Sequence, residues 1–132
     1  MGNVNLLAVV LGAVAFFMVG AVWYTALFGK AWQRAVGLSD EQLKGANMAV
    51  IMGLTFLFEM LVSLMLGHNV ARTNPSDWAI MMMAVGFGLT IMTPAIGINY
   101  LYQRRSGTLF AIDAGHFILG TAAMGAVHML LR

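Results

Sequence analysis

Hydrophobic positions in this chain form four long, nearly continuous runs, and polar positions cluster in the short connections between them. The runs extend from about Val4 to Phe28, Ala46 to Gly67, Trp78 to Tyr102 and Leu109 to Leu131. Each is long enough to cross about 30 Å of hydrocarbon as a helix. Helix is required there, because lipid offers no partners to backbone N–H and C=O groups. The period-two alternation of a membrane barrel strand is missing. The pattern predicts an all-α protein, a four-helix transmembrane bundle forming one domain over residues 1–132.

The connections carry helix punctuation. Ser39 with Gln42 reads as a capping box with Asp40 and Glu41 in the first turn, so the second helix is expected to start near Asp40. Asn74, Pro75 and Asp77 read as the cap, first helical position and first-turn acid of the third helix. Gly107 and Thr108 read as a turn before the fourth. Pro94 lies inside the third helix and is expected to kink it. Met1 to Asn5 carry no Lys or Arg, and the first apolar run exceeds a signal-peptide core, so the first helix is expected to stay as a span.

Lys30, Arg34, Lys44, Arg104 and Arg105 sit in the loops after the first and third helices, against Arg72 and Arg132 on the other side. That bias predicts basic loops in the cytoplasm, both termini outside, and a multi-pass protein of the cell (bacterial inner) membrane. Composition agrees. Of 132 residues, 61% are hydrophobic and 9% charged, against about 25% charged in a soluble domain. Disorder is excluded by the same balance, and the few bases read as topology signals, not a nucleic-acid face. With no cysteine, thiolate chemistry and disulfides are excluded.

The scarce polar residues within the runs are the candidate chemistry. Glu59 falls near the middle of the second helix, where an acid must be protonated, paired or wet. It reads either as a proton or cation ligand or as a neutral acid bonded to a neighbouring helix. Asp113 and His116 lie one turn apart near the inner end of the fourth helix. They read as a carboxylate–imidazole relay or half of a metal site, or more simply as a first-turn acid reaching Arg104 or Arg105. Counting about 1.5 Å per residue brings Asn99, Tyr100, Trp23 and Tyr24 to the same inner layer. His68, Asp77 and His128 mark the outer one. Asp113, His116, Gly120 and His128 share an arc of roughly 120° that should face protein. Trp23, Trp32, Trp78, Tyr100 and Tyr102 are expected as headgroup anchors.

Other signals are weaker. Met48 and Met52 have a spacing soft Cu(I) could use, but methionine ordinarily fills helix contacts, and no metal or cofactor is expected. Ser63, Ser76 and Ser106 have no histidine partner in a motif, and no phosphate loop appears. Small residues line helix faces, including Gly12 and Gly20 on the first and Ala111, Gly115, Ala122 and Ala126 on the fourth. Such faces let membrane helices pack closely.

The run Trp23-Tyr24-Thr25-Ala26-Leu27-Phe28-Gly29-Lys30-Ala31-Trp32 resembles the signature of a bacterial family of small membrane proteins, domain of unknown function 1761. Asn99-Tyr100-Leu101-Tyr102 and Ile112-Asp113-Ala114-Gly115-His116 match it in order, while Thr25 and Ala26 stand where that family often has Ser-Pro. The resemblance covers essentially the whole chain. It implies a four-helix membrane protein, brings the three motifs to one layer, and implies no activity.

Three functions are compatible with these residues. The first is a non-enzymatic membrane module, a homo-oligomer or accessory subunit of a complex, motivated by the small-residue faces. The second is a small permease or channel using Glu59 with Asp113 and His116 for a proton, cation or small solute. The third is a membrane enzyme using the inner layer on a lipid-borne substrate. Lipid is the one partner all three require.

Overall fold

The computed structural model describes residues 3–132. Four helices are long and apolar enough to cross a membrane: Leu6–Leu27, Met48–Thr73, Asp77–Gln103 and Gly107–Leu130. The chain is thus an all-α membrane protein with four candidate spans, named first to fourth in chain order. Their lengths of 22, 26, 27 and 24 residues give about 33–40 Å at 1.5 Å per residue, enough for hydrocarbon and part of the interface.

Each span begins at a side-chain cap. Asn5 accepts from the Ala8 N–H, Asn47 from Val50, Ser76 from Ala79 and Ser106 from Leu109. These caps correct three expected boundaries. The Ser39–Gln42 capping box exists, but it opens a separate short helix, Asp40–Lys44, and the second span starts afresh at Met48. Asn74 does not cap the third span. It closes the second, which runs on past Gly67 to Thr73, in a left-handed conformation at φ 43° that Asn tolerates better than most residues. Gly107 is the first helical residue of the fourth span instead of a turn residue, because Ser106 supplies the cap. A further short helix, Gly29–Val36, leads off the first span and ends at Gly37, whose φ of 80° suits glycine.

Two spans contain a π-helical turn, Trp23–Leu27 in the first and Phe87–Met92 in the third. In the first, the Phe28 N–H reaches back five residues to the Trp23 carbonyl at 2.8 Å. The second lies immediately before Thr93 and Pro94, so the irregularity expected at Pro94 is absorbed as a π-turn. The Thr90 and Thr93 hydroxyls donate to the carbonyls of Gly86 and Gly88 at 2.6 and 2.7 Å, the latter carbonyl also accepting the Thr93 N–H.

The fourth span is the centre of the bundle. It packs on the first along one side and the third along the other, while the second packs mainly on the first. The order across the molecule is second, first, fourth, third. Fittingly, the fourth is the least apolar span and the most buried. Phe16, Leu66, Ala84 and Met124 bring one buried side chain from each span into a common core. The start of the first span meets the end of the fourth: the Asn5 amide donates to the Leu131 carbonyl at 2.7 Å, and Arg132 pairs with Asp77 at 3.2 Å. The molecule thus has a terminal end and a basic end, the latter carrying Lys30, Arg34, Lys44, Arg104 and Arg105.

Candidate functional site

Close helix approach places the interior polar groups. Gly12 and Gly20, two turns apart on the first span, leave room for side chains of its neighbours. A Cβ at Gly12 would lie 2.7 Å from Ser63 Oγ and 3.1 Å from His128 Nε2. One at Gly20 would lie 2.8 Å from His116 Nε2. Gly115 is filled by the Trp23 indole and Gly120 by the Phe16 ring. The glycines of the small-residue faces, Gly12, Gly20 and Gly115, are thus filled from within the chain, whereas Ala111 is exposed and Ala122 and Ala126 are half-buried.

At the terminal end, Ser63 donates to the Val9 carbonyl at 2.7 Å, and its Oγ lies 2.9 Å from His128 Nε2. The hydroxyl has one proton and gives it to Val9, so His128 donates to Ser63. Ser63 has a histidine partner after all, brought from 65 residues away. Finding it needs the depth register between the second and fourth spans; the sequence signal is His128 on the protein-facing arc of the fourth helix.

At the basic end, Asp113 accepts the Tyr24 hydroxyl on Oδ1 and the Tyr100 hydroxyl on Oδ2, both at 2.5 Å. Two tyrosines from the spans flanking the fourth thus clamp one carboxylate. The expected reach of Asp113 to Arg104 or Arg105 is replaced by this clamp, and both arginines are exposed. Trp23 donates its indole N–H to the Ile112 carbonyl at 2.8 Å, one residue before Asp113. Trp32 packs edge-on to Tyr24, ring centroids 5.8 Å apart. The first span turns π-helical from Trp23, so the residues after this turn depart from the register of the helix before it.

His116 links this clamp to the interior. Its Nδ1 makes a long contact of 3.4 Å with the Tyr24 hydroxyl. Tyr24 has given its proton to Asp113, so the ring nitrogen is the donor, which leaves Nε2 with a bare lone pair. Nε2 is buried and has no hydrogen-bond partner, and neither has Glu59 Oε2. Glu59 and His116 are 5% and 7% exposed, so bulk solvent does not satisfy these atoms. Glu59 lies one turn from Ser63 towards the basic end. That is about 6 Å, half the distance from the Gly12 layer to the Gly20 layer. The interior polar groups therefore form a ladder from the terminal end: His128 with Ser63, then Glu59, then His116, then Tyr24, Asp113 and Tyr100.

The remaining candidates fall elsewhere. Asn99 is exposed and joins none of these hydrogen bonds, although depth counting placed it in the layer. Trp23 and Tyr100, expected at the headgroups, direct their polar atoms to protein, whereas Trp78 and Tyr102 are exposed at 73% and 86%. Met48 and Met52 face outward. Among the described residues, no three His, Asp or Glu side chains gather as metal ligands would.

No curated protein and no solved structure matches the chain significantly. Residues 7–129 match a family model described as a protein of unknown function, DUF1761. That span takes in the first-span clamp, the Asp113–His116 pair and Glu59, and the chain belongs to the DUF1761 family.

Proposed function

We propose that this protein is a small permease that carries protons through the interior of its own bundle. Glu59 and His116 hold the proton between the two ends. The basic end faces the cytoplasm and the termini face outside, by the distribution of Lys and Arg. The observation that carries the reading is the pair of buried, unpartnered polar atoms, Glu59 Oε2 and His116 Nε2. Buried polar groups are nearly always bonded, and an orphan calls for a reason. In lipid the requirement is stricter, and intramembrane ionisable groups are characteristic of ion and proton paths. A carboxyl group and an imidazole lone pair are a proton donor and a proton acceptor, and they stand in adjacent layers.

The tight packing favours a proton over a larger solute. Gly12, Gly20 and Gly120 lack room even for a methyl group beside the ladder. The glycines Gly12, Gly20 and Gly115, part of the small-residue faces that motivated an oligomer or accessory subunit, are filled by the chain's own side chains.

The test is flux. Purified protein in liposomes with an internal pH dye should acidify the lumen under a potassium diffusion potential. Glu59→Gln keeps the shape but removes the titratable group, and proton flux should fall at least about tenfold, equivalent to about 1.4 kcal/mol in the barrier. Wild-type liposomes no faster than empty ones, or a Glu59→Gln rate equal to wild type, would refute the reading.

A further inference from the structure

The third span is built in two unequal halves. Its outer part is anchored: Ile80 and Ala84 are fully buried, and Ala84 packs on Gly125. Gly88, inside the π-turn, sits so close to Thr121, the Phe117 carbonyl and the Ile118 Cα that a Cβ could not be added without moving the fourth span. The inner part, Thr93–Gln103, contains no buried residue. Between the two lies the π-turn Phe87–Met92, and Pro94, the second residue of the inner part, lacks the N–H to continue the ladder. Helix bends concentrate at such π-turns and prolines.

Few ties hold the inner half in place. Tyr100 donates to Asp113 Oδ2 at 2.5 Å, Gly97 lies against the Phe110 ring, and exposed Arg105, just past the helix end, makes a long 3.4 Å bond to the Val36 carbonyl. Only the first of these touches the polar ladder. It also covers Asp113, which is 7% exposed and closes the ladder at the basic end.

We infer that Thr93–Gln103 is a gate: it swings about the Gly88 fulcrum and is latched shut by the Tyr100–Asp113 hydrogen bond. Open, it admits water from the basic end to Asp113 and then to His116, one turn deeper. Closed, it seals that end while the terminal end exchanges through His128 and Ser63. The gate regulates the site proposed above and rests on that reading for its purpose, but the hinge is a property of the helix and is tested without flux.

The chain has no cysteine, so introduced cysteines are the only labelling sites. Nitroxides at Tyr102→Cys and Leu54→Cys, both exposed positions, report the inner half against the second span. Nitroxides at Trp78→Cys and Leu64→Cys report the outer half. Pulsed-EPR distances are measured in lipid nanodiscs. With the latch intact, both pairs should give one narrow distance. Tyr100→Phe removes only the latching hydroxyl, and should add a second, longer population to the inner pair while the outer pair stays unchanged. Asp113→Asn, which retains a single carbonyl acceptor, should do the same and serves as the second variant. An unchanged inner distance in both variants overturns the gate. So does a change of equal size in the outer pair, which would mean general loosening. Hinge motion with no proton flux in liposomes would leave the gate standing and remove its proposed cargo.

Discussion

Replacing Asp113 with alanine lowers the stability of the folded bundle by about 2–4 kcal/mol, read from unfolding by SDS in mixed micelles. Two effects oppose each other. Asp113 accepts from two hydroxyls on different spans, and hydrogen bonds to a charged group contribute about 1.5–3 kcal/mol each. Removing the carboxylate also removes the cost of burying it, so the net loss is smaller than the sum of the bonds. Hydrogen bonds between membrane helices average about 0.6 kcal/mol by double-mutant cycle, because polar groups find other partners in the unfolded state. Here the clamp exceeds that average because one anion holds both flanking spans, and alanine leaves two half-buried phenols without their acceptor. Tyr24→Phe and Tyr100→Phe should each cost about 1–2 kcal/mol. On a background with both tyrosines replaced, Asp113→Ala should cost much less than on wild type, since the three groups act as a unit. A loss below about 0.5 kcal/mol, the size of an ordinary surface change, would mean that the clamp does not hold the spans together.

This clamp also marks the limit of what the sequence discloses. The four spans were legible because the length and polarity required by lipid are severe, and few other patterns meet them. The layer containing Tyr24, Asp113, His116 and Tyr100 was legible too, because depth follows directly from helical rise. What could not be read was azimuth. Asp113 has two arginines close by in sequence, and a charge partner was the simpler expectation. The π-turn Phe87–Met92 altered the helical register ahead of Tyr100, and hydroxyls from two other spans meet the carboxylate. Asn99, next to Tyr100 and at nearly the same depth, points away for the same reason that adjacent helical residues diverge by about 100°. Ser63 and His128 failed to declare themselves because their meeting depends on Gly12 admitting both against the first span, a property of three helices at once. The misplaced cap at Asn74 has a local cause: the residue that caps well also adopts the left-handed conformation well, and the end of the second span claimed it first.

The same close packing makes Gly120→Leu the most damaging single substitution considered. A Cβ there would lie 2.4 and 2.5 Å from two carbons of the Phe16 ring, and three further carbons would have to follow it. Phe16 cannot yield easily. It is 1% exposed, packed edge-on to His116 at 5.4 Å and to Phe117 at 6.3 Å between ring centroids, and part of the core shared by all four spans. Overfilling a packed core costs typically about 1–3 kcal/mol for small additions. With a whole isobutyl group and no yielding neighbour, the expected loss is about 3 kcal/mol or more. Lipid sharpens the effect. Inside a bilayer the helices gain nothing from hiding apolar surface, and association rests on van der Waals fit and polar contacts. A leucine that would partly offset its own intrusion by burial in water has no such compensation here. The steric origin can be isolated by combining it with Phe16→Ala, which empties the space the leucine needs. Each single variant should be destabilised, and the double variant should recover at least half of the Gly120→Leu loss in the same SDS titration. Independent, additive losses would show that the two residues do not compete for one volume. Because the Phe16 ring edge rests on His116, the double variant should also carry fewer protons than wild type even after its stability is restored, which separates the fit of the helices from the position of the imidazole.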